Sequence, residues 1–214
     1  IVYFRYVFDK AVYLEKQNWF VAYKREEDPL KNTHGKYTSL IPSGDRFWAD
    51  PFVIRKDNRT WVFIEELMFA TNKGHISVLE LDEQGKLLGT SKILEKNYHM
   101  SYPFLFEYNH QYYMIPETSE NRTVQLYQCE QFPNRWKFVM NLMENKAAMD
   151  TTVFFHNNRW WLFAAENKSS RFPEYLELFL YYSDDIFTTN WIPHPANPIV
   201  SDIRNARPAG RIFK

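Results

Sequence analysis

A single cysteine, Cys129, stands in this chain of 214 residues, which excludes an intrachain disulfide framework. A reducing, cytoplasmic setting is the expectation that follows. No run of 18 or more apolar residues occurs, so no membrane-spanning helix is expected. Residues 1–8 are apolar and strand-like, but they lack the basic start and the small-residue cleavage site of a secretory leader. Charge of either sign is not in excess. The 26 basic and 26 acidic residues are spread along the chain, which removes the electrostatic footprint of a nucleic-acid binder. Zinc-ligand spacing, a Gly-rich phosphate loop and a Gly-x-Ser-x-Gly elbow are missing too, so neither a metal nor a cofactor is expected. Long helical patterns, linkers and low-complexity stretches are likewise lacking.

Aromatic residues are abundant, at 18% of the chain, and they fall in a passage that recurs three times. The copies read Phe-Trp-Ala-Asp-Pro-Phe-Val-Ile with Trp-Val-Phe-Ile-Glu-Glu, then Ser-Tyr-Pro-Phe-Leu-Phe with Tyr-Tyr-Met-Ile-Pro-Glu, then Asp-Thr-Thr-Val-Phe-Phe with Trp-Trp-Leu-Phe-Ala-Ala-Glu. Each is an apolar strand, a short polar turn, an aromatic strand and a glutamate. The closing acids Glu66, Glu117 and Glu166 give a period of 51 and then 49 residues. Third strands are expected at 76–79, 124–127 and 178–181, and weaker fourth strands at 92–94 and 136–139. Four antiparallel strands in roughly 50 residues make one propeller blade.

The fold expected is all-β, a five-bladed β-propeller of four-stranded blades in one domain over residues 1–214. Full blades are predicted at 47–98, 99–147 and 148–200, with 1–46 giving strands of the closing blade and 201–214 the start of a further one. Five such blades need about 250 residues, so the propeller is expected to be incomplete here. The chain begins at Ile1, and a piece of a longer protein is the expectation.

Propeller geometry brings the starts of the innermost strands together at the channel mouth. Asp50 and Asp150 should face each other there, with Trp48, His99, Ser101 and Tyr102 beside them and Arg207 ahead of the last strand. Two facing carboxylates suit glycosyl chemistry, one as base or nucleophile while another group gives a proton. The same aspartates equally suit turn capping. Glu66, Glu117 and Glu166 recur in every copy and read as scaffold. Glu117 is the exception, because Pro116 before it can turn its acid toward the channel.

Taken together, Phe47-Trp48-Ala49-Asp50-Pro51-Phe52, His99-Met100-Ser101-Tyr102-Pro103-Phe104, Met114-Ile115-Pro116-Glu117, Asp150-Thr151-Thr152 and Arg207-Pro208-Ala209-Gly210-Arg211 resemble one family. It is the propeller domain at the N-terminus of plant glucosamine inositolphosphorylceramide transferases and of bacterial proteins of polysaccharide loci. This family is similar in turn to the five-bladed arabinanase, xylosidase and levansucrase enzymes. The resemblance implies Asp50 as base or nucleophile and Asp150 as the orienting carboxylate. It also implies a general-acid Glu opening the next blade, where this chain has Arg204-Asn205-Ala206-Arg207. Arginine cannot protonate a leaving oxygen near neutral pH, but it holds phosphate or carboxylate in a two-pronged contact. The function expected is therefore binding of, or transfer from, a sugar phosphate or activated sugar. Asp50, Asp150, Glu117 and His99 would be catalytic, and Trp48, Ser101, Tyr102, Arg207 and Arg211 would bind substrate. Glycoside hydrolysis, with Glu117 or Glu166 as the acid, and a non-catalytic glycan-binding or scaffold module remain open. A linked transferase domain is the partner the resemblance implies.

Overall fold

The hairpin between the first two strands of each four-stranded sheet turns on two residues that accept a left-handed backbone. Asp57 and Asn58, Asn109 and His110, and Asn157 and Asn158 all have positive φ, the condition for a two-residue turn that follows the twist of its strands. The computed structural model describes residues 19–24, 37–167, 175–202 and 204–212. Strands β1 (Val21–Tyr23) and β2 (Thr38–Leu40) form a short antiparallel ribbon. Strands β3 (Arg46–Lys56), β4 (Arg59–Met68), β5 (Lys73–Leu81) and β6 (Leu87–Leu94) form the first blade. The second is β7 (Ser101–Tyr108), β8 (Gln111–Thr118), β9 (Thr123–Gln131) and β10 (Arg135–Glu144); the third is β11 (Ala148–His156), β12 (Arg159–Glu166), β13 (Glu177–Ser183) and β14 (Ile192–Pro193). All pairings are antiparallel and follow chain order within each sheet. The one helical element among the described residues is a 3₁₀ turn, Ser119–Asn121. No helix among them is long and apolar enough to cross a membrane.

The third strands expected from the repeat lie within β5, β9 and β13, and the fourth strands at 92–94 and 136–139 lie within β6 and β10. In the third blade the fourth strand shrinks to two residues. Of the outer segments assigned to strands, residues 1–8 lie outside the described residues. In the tail, 204–212 run as turns and irregular backbone rather than as a strand. The Gly210 N–H there donates to the Tyr102 hydroxyl at 2.9 Å instead of to a ladder carbonyl.

Aromatic side chains join the blades. Phe63 of the first blade meets Trp136 of the second edge-on, with centroids 5.8 Å apart, and Phe106 of the second meets Trp160 of the third at 5.6 Å. Such pairs contribute about 0.5–1.5 kcal/mol each beyond the area they bury. Strand alternation splits the doublets as their period requires: Tyr113 and Trp160 are core residues, while Tyr112 and Trp161 are only half-buried. The ribbon covers the other face of the first blade, where Val21 and Leu40 pack with Trp48, Val62, Ile64 and Leu79. Tyr23 ties it down by donating to the Gly85 carbonyl at 2.8 Å. Gly85 has a φ of +87°, and a Cβ there would stand 2.0 Å from the Tyr23 hydroxyl. The first strands β3, β7 and β11 lie side by side, with β7 packed against both of the others.

Candidate functional site

All three first strands carry the same irregularity at the same place. The ladders slip between Ala49 and Phe52, between Ser101 and Phe104, and between Met149 and Thr152. Within each bulge one residue takes positive φ: Asp50 at 49°, Tyr102 at 42° and Asp150 at 51°. Bulges of this kind re-aim a side chain away from the pleat. Aspartate tolerates the left-handed region, whereas tyrosine there is an outlier costing on the order of 1–3 kcal/mol. Fixed contacts hold Tyr102 in place. Its ring packs edge-on against Phe52 at 5.0 Å, and its hydroxyl, accepting from Gly210, lies 2.9 Å from Thr152 Oγ1.

The ladder also corrects the alignment of the glutamates. Ala49 pairs with Glu65, Ser101 with Glu117 and Met149 with Ala165. Glu117 is thus the counterpart of Glu65, and the counterparts of Glu66 are Thr118 and Glu166. The sequence already carried this signal. Asp50, Tyr102 and Asp150 are spaced 52 and then 48 residues apart, and so are Glu65, Glu117 and Ala165, unlike the 51 and 49 of the closing acids. Glu65 is the functional candidate that the sequence reading passed over.

Glu65, Glu117, Asp50 and Asp150 line one cleft of about 820 Å³. Trp19 and Phe20, which are 57% and 50% exposed, line it as well, as do Ser101, His99 and Arg207. Asp150, only 3% exposed, is gripped through both oxygens by Arg207, whose Nε and Nη2 donate at 2.5 and 2.9 Å. Arg207 Nη2 also stands 4.0 Å from Glu117. Glu117 accepts from the Ser119 hydroxyl at 2.7 Å and from the Asp150 amide at 3.1 Å. Burial, reinforced by the charge of Asp150, nevertheless pushes its acid up to about 7. Asp50 is half-buried and is pushed up to about 6, first by burial and then by the charges of Glu65 and Asp150. One of its oxygens accepts the Tyr102 amide at 3.2 Å.

His99 is held at both ring nitrogens. Nδ1 accepts the Gly74 amide at 3.0 Å, and Nε2 lies 3.2 Å from Glu65 Oε1. Glu65 raises the proton affinity of the ring. A second proton on Nδ1 would face the Gly74 N–H, however, so the neutral Nε2–H form fits the contacts. Gly74 is required at this spot, since a Cβ would meet Met100 O, His99 Cε1 and Glu65 Oε1 at 2.7–2.9 Å.

Trp48 and Tyr102 also line the cleft, as nearly buried side chains, whereas Arg211 does not. The Trp48 indole is 5% exposed, donates to Glu66 at 3.1 Å and packs under the ribbon. The Tyr102 ring is 4% exposed, and burial pushes its phenol up to about 12. Arg211 lines a separate cleft of about 360 Å³ with Pro51, Val53 and Gly210. Among the described residues no group of three or more His, Cys, Asp or Glu side chains could hold a metal ion.

Residues 32–214 match the family model described as glucosamine inositolphosphorylceramide transferase 1, N-terminal. The chain belongs to that family. The transferases of that name from Oryza sativa subsp. japonica and Arabidopsis thaliana are each 31% identical to it, over 85% and 86% of this chain. The chain spans only 24% and 25% of their lengths. Solved structures similar to this family member are propeller-like glycoside hydrolases. The family 117 enzyme Zg3597 of Zobellia galactanivorans has a TM-score of 0.60 at 10% identity, covering 86% of this chain and 63% of that one. The catalytic domain of the Coprinopsis cinerea family 62 α-L-arabinofuranosidase has a TM-score of 0.56 at 14% identity, covering 73% and 51%. At these identities the likeness concerns the fold.

Proposed function

We propose that the cleft binds the sugar end of an activated or phosphorylated glycosyl compound and serves glycosyl transfer in glycan or glycolipid assembly. The observation that carries this reading is a pair of carboxyls in one aromatic-walled cleft, one retaining its proton near neutral pH and the other keeping an oxygen open. Glu117, with its acid up at about 7, suits the proton donor. Asp50 suits the base or nucleophile, and Asp150, fixed by Arg207, orients. His99, committed to Gly74 and Glu65, positions rather than donates. Arg207 has its two-pronged face on Asp150, so a phosphate would lie toward the outer edge of this half-exposed guanidinium rather than deep in the cleft. Trp19 and Phe20 offer flat surfaces for a sugar ring.

In the same reading the three sheets are three blades of a five-bladed closure, and a transferase domain is linked to this one. The relatives' names, and the three quarters of their length outside the match, support that link. Hydrolysis is the second reading, favoured by the proton on Glu117 and by the fold. Glu166 is no substitute acid in it, because it accepts from Lys146 Nζ at 2.9 Å and from the Tyr181 hydroxyl at 2.5 Å.

The test is titration and turnover of the chain with nucleotide sugars, sugar 1-phosphates and simple aryl glycosides. Asp50→Asn should lower turnover by about 10²–10⁴-fold. Unchanged turnover and unchanged sugar affinity in Asp50→Asn would sink the enzymatic reading, and turnover of aryl glycosides alone would replace transfer by hydrolysis.

A further inference from the structure

Tyrosine is the odd residue among the three bulges. Asp50, Tyr102 and Asp150 hold the same place, with φ of 49°, 42° and 51°, and of these residue types only aspartate tolerates that region readily. A strained residue persists where its surroundings over-determine it, and Tyr102 is tied to three other parts of the cleft. Its amide, released from the ladder by the bulge, donates to Asp50 Oδ2 on the first blade at 3.2 Å. Its hydroxyl accepts the Gly210 N–H of the tail at 2.9 Å. The Thr152 hydroxyl donates to the Asp150 carbonyl at 3.3 Å, which leaves Thr152 Oγ1, on the third blade, to accept from the Tyr102 hydroxyl at 2.9 Å. The ring is buried, edge-on to Phe52.

The two ends of this residue are coupled through its backbone. Anchored at the phenol, the side chain keeps residue 102 in the left-handed region, and that conformation aims its N–H at Asp50. Three residues before Gly210, Arg207 forks onto Asp150, so the same anchor fixes the tail beside the other aspartate. A hydrogen bond to the charged form of a carboxyl favours that form. Here the amide opposes burial and the like charges of Glu65 on β4 and Asp150 on β11, and Arg207 on the tail acts in the same direction as the amide. Glu117 and His99 line the same cleft. With its hydroxyl engaged as donor and as acceptor, Tyr102 orders the cleft rather than offering that group to a ligand.

We propose that Tyr102 is the positioning residue of the cleft, its phenol fixing the tail and holding its own amide on Asp50. The purpose of that bond rests on the reading of Asp50 as base or nucleophile, but the bond itself is tested in the chain alone. The measurement is the carboxyl carbon-13 titration of Asp50, its signal identified with Asp50→Asn, together with amide hydrogen exchange at residues 102 and 210. In Tyr102→Phe the Asp50 carboxyl should hold its proton about tenfold more tightly, the difference one hydrogen bond to a charged group supplies. Both amides should exchange about tenfold faster there. Thr152→Val keeps the shape of a buried place and removes one of the phenol's two partners. It should shift the Asp50 titration the same way by about threefold, and it decides alone if Tyr102→Phe does not fold. Trp136→Phe, which disturbs the contact with Phe63 between the first two blades, should lower the melting temperature without moving Asp50. An Asp50 titration unchanged in Tyr102→Phe, or in Thr152→Val where that variant decides, would reduce Tyr102 to packing and overturn the proposal. An equal shift in Trp136→Phe would trace the effect to a loosened fold and overturn it too. Either result would leave the carbohydrate reading standing, whereas unchanged turnover in Asp50→Asn would remove that reading and leave the bond.

Discussion

Glu65 and Glu66 are neighbours in sequence and opposites in environment. Glu66 accepts from Arg46, the Trp48 indole and the Ser77 hydroxyl, and its second oxygen lies 3.0 Å from His75 Nε2. Those donors outweigh the cost of burial and hold its carboxyl well below the usual carboxylate range. Glu65 has one partner and an open oxygen. Strand alternation sends the two acids to opposite faces, one toward the blade and one toward the cleft. The same division runs through the repeat. Glu66, Thr118 and Glu166 are fully engaged by their own blades, while Glu65 and Glu117 line the cleft, Glu65 with one ring partner and Glu117 bonded at both oxygens yet raised by burial. Acids turned into the blades build this molecule, and those turned into the cleft are available to a ligand.

The strongest way to break that contrast is to remove the scaffold acid. Glu66→Ala leaves the buried Trp48 indole N–H, Ser77 hydroxyl and His75 ring without their common acceptor, while the partly exposed Arg46 keeps Asp45. The expected loss is about 3–5 kcal/mol, since each buried polar group left unsatisfied costs about 1–3 kcal/mol. Chemical denaturation of wild type and variant checks it. A loss below about 1 kcal/mol would mean that Glu66 is no more structural than Glu65.

Glu117 should behave in the opposite sense. Its acid is raised in the folded protein to about 7 from 4.5, so the native state binds the extra proton between these values. The stability this contributes is fully present below about pH 4.5 and is lost as pH rises through about 7. Asp50, raised to about 6, adds a loss of the same sign in a lower window. Glu117→Gln cannot ionise, so it should be more stable than wild type at pH 8 by about 1–3 kcal/mol, with little difference at pH 4. Thermal melts of both proteins across pH 4–8 provide the measurement. Parallel curves would show that Glu117 is not strained by its ionisation.

The sequence made the architecture legible because the signals were local. Asp57-Asn58, Asn109-His110 and Asn157-Asn158 announce their turns, and the flanking aromatics announce their strands. Asp50, Asp150 and Arg207 were also visible as a cluster, since equivalent places in a repeat converge at the channel mouth. Three things were hidden. Glu65 was masked by Glu66, because choosing between adjacent acids needs the register, and a one-residue slip changes the face. The Asp150–Arg207 fork was not readable, because it joins residues 57 apart through side chains alone. The double engagement of His99 depends on Gly74, a backbone donor that leaves no motif.

The smallest test concerns the odd member of the scaffold row. Thr118 stands where the other blades carry Glu66 and Glu166, and it is 1% exposed. Its hydroxyl donates to the Thr123 carbonyl at 2.6 Å and lies 3.2 Å from Thr123 Oγ1. It carries no charge and leaves no cation unpaired when removed. Thr118→Val keeps the shape, deletes those contacts and should cost about 1 kcal/mol, the net value of a neutral hydrogen bond. If that variant lost as much as Glu66→Ala, the row would be held by packing at this position rather than by polar partners. If it lost about a quarter as much, the cost of emptying each place would follow the charge and number of the donors that place satisfies.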